Sequence, residues 1–546
     1  MKNLIAKLSQ YGILASPDAL QLLFKQSEPI MIIEEIIRVR GEVLFLELDI
    51  VRDIIQGMKE ENKNSIEGDE NAGDNIAELE ISAKAIISES EMPGNEEIIS
   101  KDEETTSKQK ENSLSHETKT FHRAAVSRYR PIAAEIEEDI VVEGDITNLS
   151  RCEGKISDFS KYFHDRLTRL REIIKKRPEM MHARPVQKTR SGNMVTIGIV
   201  TEVNSRDKGL SITLEDEEDF IKIFISKNRN SRLYNSIGTV VHDEVIGVSG
   251  NLSMGKGNHE PTLYPDMVVR PPLPYHHTPN LADEEISAAF VSDLHIGSKT
   301  FLRDEWKKAL EFLVGKNHEL RDIASTIKYL VFPGDVVDGI GIYPGQEEDL
   351  DITDIFLQYE AVAEDISSLP DHINVILMPG NHDSVRRSEP QPAFPKEIQK
   401  LFDRDRVMFV GNPIWLGLHG VNFQVYHGGG FDDLNTSIPG LTYTNPISGM
   451  KEMMKRRHLA PIYGGKTPIA PEHRDYLLMD RIPDVFVTGH VHTTQLDYYH
   501  NVMLLNASTW MDQTDYQKMR DFMPDPAKLP VIRLDTLKPS IINFRG

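Results

Sequence analysis

Five short stretches, each placed directly after an apolar run, constrain this chain more than anything else in it. They are Val291-Ser292-Asp293-Leu294-His295-Ile296-Gly297, Gly334-Asp335-Val336-Val337-Asp338-Gly339, Gly380-Asn381-His382-Asp383, His427-Gly428-Gly429 and Gly489-His490-Val491-His492. The preceding runs, 288–291, 329–332, 373–378, 423–426 and 485–488, read as buried strands whose ends the glycines mark. Asp, His and Asn side chains therefore arrive repeatedly at the carboxyl ends of strands, the edge where open α/β sheets build their sites.

The residue types point to metal. Asp293 and His295 lie two apart, as do His490 and His492. In extended chain such pairs face the same way, so each is expected to grip one ion. Imidazole, carboxylate and carboxamide together suit manganese, iron or zinc better than calcium or magnesium. Manganese is the first expectation, with iron, zinc or magnesium as the others. The ligands are too many for one divalent ion and about enough for two, with Asp335 as a carboxylate that can bridge them. Two ions about 3.5–4 Å apart can activate a water and stabilise the leaving oxygen of a phosphate ester. Taken singly, each motif has an ordinary reading: an isolated GD or GNH is a common turn, and a lone histidine beside a strand is usually structural. Order and shared context carry the metal reading. An esterase oxyanion loop at His427-Gly428-Gly429-Gly430 fails, because no G-x-S-x-G elbow accompanies it.

In that order, D-x-H, G-D-x-x-D-G, G-N-H-D, H-G and G-H-x-H resemble the calcineurin-like metallophosphoesterases over about residues 288–510. The resemblance implies Asp293, His295 and His492 as ligands of one ion, Asn381, His427 and His490 as ligands of a second, and Asp335 as the bridge. It implies His382 as a non-ligand that protonates the leaving oxygen or orients the phosphate. The flanks 380–392, with Arg386, Arg387, Glu389 and Pro390, and 506–518, with Trp510 and Gln517, narrow it further. They resemble the small subunit of archaeal family-D DNA polymerase. That resemblance implies a 3′–5′ proofreading exonuclease, a separate large polymerising subunit as partner, and DNA 3′ ends as substrate. A non-catalytic scaffold for the large subunit and a two-metal phosphatase are the competing readings.

The chain of 546 residues has room for several domains. Residues 1–56 carry apolar stripes at Leu20–Phe24, Ile30–Ile37 and Leu44–Ile54 and read as a small all-α interaction module, with a sliding clamp among its candidate partners. Residues 57–130 are acidic and polar, and read as a disordered linker. The segment 131–280 reads as a helix over 159–176 followed by a period-two barrel, an OB-fold, favoured for protein docking. Residues 281–546 read as the α/β metallophosphoesterase domain, two packed β-sheets flanked by helices. The net charge of −23 excludes a generally basic coat but not a local basic path to the metals. Arg386 and Arg387 are candidates for that path. So is a basic helix over 445–458 carrying Lys451, Lys455, Arg456 and Arg457, whose other reading is a solvated face over a methionine underside. The single cysteine, Cys152, excludes an intrachain disulfide and suits a reducing cytoplasm. No apolar run reaches the length of a membrane span.

Overall fold

The computed structural model describes residues 130–545 except 187–190, 256–259, 404 and 520, and before them only 14–15, 22–23, 30–33, 36, 45–46, 51 and 54. The chain divides into two compact units, Met1–Thr120 and Phe121–Gly546. In the first, Leu14–Ala15 pairs in parallel with Phe45–Leu46, and Leu23, Ile33, Ile36 and Val51 are buried. The module is thus not all-α. The linker expected over 57–130 lies outside the described residues except for Arg130.

The second unit is built on two six-stranded sheets and a closed five-stranded barrel. One sheet runs Val407–Phe409, Asn374–Met378, Ile327–Pro333, Ser287–Phe290, Lys528–Arg533, Pro539–Asn543, its first four strands parallel. The other runs Gln495–Tyr499, Val502–Asn506, Val485–Thr488, Val421–Tyr426, Ile414–Leu418, Ile140–Glu143. Alternation along the strands explains the packing. Ala288, Phe290, Tyr329, Val331, Ile376 and Met378 join Leu416, Phe423, Val425, Val487 and Leu505 in a core shared by both sheets. The intervening residues Ala289, Leu330, Phe332 and Leu377 meet Trp306, Phe312, Tyr359 and Val362 from the helices Arg303–Leu313 and Ile355–Ser367. On the far side of the second sheet, Phe486 and Leu504 pack on Met450, Met453 and Met454 of the helix Pro446–Arg456.

The barrel closes in the order Gly192–Arg206, Gly209–Glu215, Phe220–Ser226, Thr262–Val269, Val245–Ser253. Ile212, Leu214, Ile221, Ile223 and Ile225 fill it. The helix Ile156–Ile174 lies between barrel and sheets: Leu170 and Ile174 meet barrel residues Ile197 and Val245, while Tyr162 joins the methionine cluster. Upstream of that helix, Ile140–Glu143 pairs with Ile414–Leu418, so this strand belongs to the second sheet rather than to the barrel.

Two expectations for the basic helix change here. Arg456 is 1% exposed and forms an ion pair with Glu244 at 2.9 Å, besides bonding Glu452 and the Thr239 carbonyl. Lys455 pairs with Glu452 at 2.6 Å, and Arg457 is buried on the carbonyls of Met479, Pro272 and Asp480. Arg456 therefore ties the barrel to the sheets and is buried away from any DNA path, while Lys455 is part-exposed and paired with Glu452. No helix of the described residues is long and apolar enough to cross a membrane.

Candidate metal centre

Each motif begins within a few residues of a strand end. Asp293 follows Ser287–Phe290, Asp335 follows Ile327–Pro333 and Asn381 follows Asn374–Met378, all in the first sheet. His427 follows Val421–Tyr426 and His490 follows Val485–Thr488, in the second. The centre therefore spans the ends of both sheets. Asp293, His295, Asp335, His490 and His492 all have positive φ, from 50° to 70°. Non-glycine residues rarely adopt that region, and five such residues in one place mark a site where function outweighs backbone strain.

That geometry replaces the extended pairs expected from the sequence. Asp293 and His295 still converge, with Nε2 of His295 3.9 Å from Oδ1 of Asp293. His490 and His492 diverge. His492 Nε2 lies 3.4 Å from Asp293 Oδ1, whereas His490 Nε2 lies 3.5 Å from Asp432 and its ring stands 5.1 Å from that of His427. Asp335 Oδ2 sits 3.3 Å from His427 Nε2 and 3.9 Å from His295 Nε2, between the two groups. Asn381 Oδ1 is 2.9 Å from His427 Nε2. Two glycines permit the approach. A Cβ on Gly380 would strike Asp335 Oδ1, and one on Gly489 would strike Ser292 Oγ and come 2.7 Å from Asp293 Oδ2.

Partners outside the cluster fix the ring orientations. Nδ1 of His295 bonds Asp338 at 3.0 Å, and Nδ1 of His427 donates to the Pro333 carbonyl at 2.9 Å. In both rings this turns Nε2 toward the carboxylates. Nδ1 of His492 meets the Gln517 amide at 3.0 Å. Asp338 does more than brace His295: its carbonyl accepts from Nδ1 of His382 at 2.8 Å, and Gln346 donates to its carboxylate and its carbonyl. Asp335 in turn accepts from the His382 backbone N–H at 2.8 Å.

The charges are those of a cation site. Burial would lower His295, but the Asp338 bond and the Asp335 and Asp293 charges hold it up at about 9. Burial would lower His427, but Asp335 and Asp293 raise it to about 10. Burial would raise Asp293, yet His492 and His427 bring it to about 2. Protons on imidazole thus stand in for positive charge that the carboxylates demand. The chemistry of the donors fits divalent ions, and one atom fits especially: Asp293 Oδ1 is fully buried and accepts no hydrogen bond from the described residues. A buried carboxylate oxygen without a donor is costly, and a cation there would satisfy it. Three groups of residues bring ligand atoms close enough for an ion: Asp293, His295 and His492; His295, Asp335 and His382; Asp293, Asp335 and His427.

His382 is the most open of the site histidines, 19% exposed at its side chain. Burial pushes it below its ordinary value, against the pull of Asp335. Arg386 is committed to the Pro390 carbonyl, Ser150 and Glu472, not to Glu389. Arg387 is exposed and, among the described residues, bonds the carbonyls of Gly341 and Ile342. Several residues of the centre went unread in the sequence. Asp383 accepts from the N–H groups of Gly380 and Val336 and from Tyr359, and burial with the Asp335 charge raises it to about 7. Asp432 holds His490 from outside. Asp383 closes the G-N-H-D motif, a usable signal; Asp432, five residues past His427, gave none.

A family described as the B subunits of DNA polymerases alpha and epsilon matches residues 288–496. The chain is 42% identical over 416 residues to the DNA polymerase II small subunit of Methanocaldococcus jannaschii, covering 75% of this chain and 69% of that one. It is 41% identical over 391 residues to the DNA polymerase II small subunit of Archaeoglobus fulgidus, covering 71% and 78%. With the protein of the same name from Pyrococcus furiosus it shares 37% over 433 residues, covering 76% and 70%.

Proposed function

From the premise that the chain belongs to the DNA polymerase II small subunits, we propose that it is the 3′–5′ proofreading exonuclease of a two-subunit DNA polymerase. The observation that carries the catalytic reading is the gathering of Asp293, His295, His492, Asp335 and His427 ligand atoms, with Asn381 and His490 beside His427, at a buried Asp293 oxygen that accepts no hydrogen bond from the described residues. Asp293, His295 and His492 would hold one divalent ion and Asn381, His427 and His490 another, with Asp335 between them. Such ions supply Lewis acidity to the phosphate and to the attacking water.

The chain's own residues do the rest. Asp338 holds His382 through its carbonyl, so Nδ1–H is spent and Nε2 is the atom that faces substrate. A phosphodiester beside His382 raises its proton affinity, and Nε2–H then donates to the departing 3′ oxygen. Asp383 keeps the 380–383 loop at the strand end, so that Asn381 and His382 stay in register with Asp335. The barrel, read as an OB-fold, serves docking to the large subunit.

Stepwise shortening of a 5′-labelled, 3′-mismatched primer in manganese, by the chain alone or with the large subunit, is the expected result. A non-catalytic scaffold gives no shortening in either setting, and a phosphatase turns over a phosphomonoester instead.

A further inference from the structure

An apolar loop borders the centre beside His382. Ile340 and Tyr343 are 39% and 42% exposed, and Pro344 is exposed with them. The loop is fixed rather than loose. It starts at Gly339, where φ is +73° and a Cβ would strike the His382 carbonyl oxygen. The Gly339 N–H donates to Gln358 at 2.9 Å, and the Ile342 N–H to Gln346 Oε1 at 2.9 Å. Through its amide nitrogen the same Gln346 is bonded to Asp338, the residue that orients His295 and His382. The Tyr343 hydroxyl donates to Asp349 at 3.0 Å, which fixes the ring on the loop. On the other flank Arg387 donates to the Ile342 carbonyl at 2.8 Å and has no carboxylate partner among the described residues.

An exposed aromatic and aliphatic face, beside the catalytic histidine and flanked by a guanidinium with no carboxylate partner among the described residues, matches the chemistry of a nucleotide: a flat base and an adjacent phosphate. We propose that Tyr343 and Ile340 form a platform for the unpaired 3′-terminal base, with Arg387 on its phosphate. The inference rests on the exonuclease reading of the centre. A base within a duplex is already stacked on its neighbours, whereas a mismatched one leaves the stack at small cost. The platform would thus select frayed ends, which is the discrimination proofreading needs.

The test uses the full chain with its large subunit and primers ending in mismatched 2-aminopurine or in an abasic residue. With divalent ions chelated, wild-type protein should quench 2-aminopurine fluorescence, Tyr343→Ala should lose the quenching, and Tyr343→Phe should keep it. In manganese, Tyr343→Ala should slow digestion of the mismatched end by about five-fold or more, chiefly through KM, and affect the abasic end far less. Equal slowing of both ends, or quenching retained in Tyr343→Ala, would overturn the platform. If wild type digests neither end, the exonuclease reading fails, while ring-dependent quenching would still support the platform as a base-binding surface.

Discussion

Replacing His382 with alanine should slow removal of 3′-terminal nucleotides by about 10²–10⁴-fold, the range of a positioned proton donor. The loss should fall on kcat, because nothing that holds the strand is removed. Its Nδ1 bond to the Asp338 carbonyl is lost, but Asp338 keeps His295 and Gln346, so the outer support of the centre stays. Bound manganese should therefore be unchanged in His382→Ala, measured by elemental analysis beside the primer assay. Loss of metal and activity together would make His382 a ligand, and unchanged activity would remove it from the reaction.

The largest stability effect is expected at Arg166→Met. Arg166 is fully buried on the helix Ile156–Ile174 and bonds Asp475 at 2.7 Å, Tyr162 at 2.6 Å and the carbonyls of Pro461 and Asp243. His458 joins at 2.8 Å from Asp475, its Nδ1 accepting from the Ala460 N–H, so it is a neutral ring that donates from Nε2. Removing Arg166 leaves Asp475 buried without a cation, and breaking such a pair costs about 3–5 kcal/mol. Denaturant unfolding should show that loss, and adding Asp475→Leu should recover part of it.

The same network sets an acid limit. Burial and the Arg166 charge push His458 from 6.5 down to about 4. Burial would raise Asp475, but His458 and Arg166 hold it below the usual carboxylate range, and with His458 neutral the opposing charge is Arg166's. Both groups sit below their ordinary values, so their stabilisation is full above those values and is lost as pH falls. The decline should begin between about 6.5 and 4 as His458 is forced to charge, and continue as Asp475 takes up a proton.

The half built on the two sheets was legible because its signal is local. Apolar runs ended by glycine gave the strands within a few residues, as at Val485–Thr488. Period-two segments gave the barrel. What failed depended on partners distant in sequence. Arg456 looked like a surface cation because only Glu452, one turn away, is visible locally; Glu244, more than two hundred residues earlier, is what buries it. The pairing of Ile140–Glu143 with Ile414–Leu418 is equally remote. The positive φ of Asp293, His295, Asp335, His490 and His492 breaks the alternation from which facing was argued, and strand pattern carries no trace of it.

The most direct measurement is the number of manganese ions bound by the purified full chain at neutral pH, for wild type and Asp335→Asn. The proposed two-ion centre predicts about two per chain in wild type and a clear loss in the variant, since Asp335 lies between the two groups of ligands and would serve both ions. A wild-type chain that binds none, with or without the large subunit, would contradict it and leave a polymerase subunit that serves only as a scaffold.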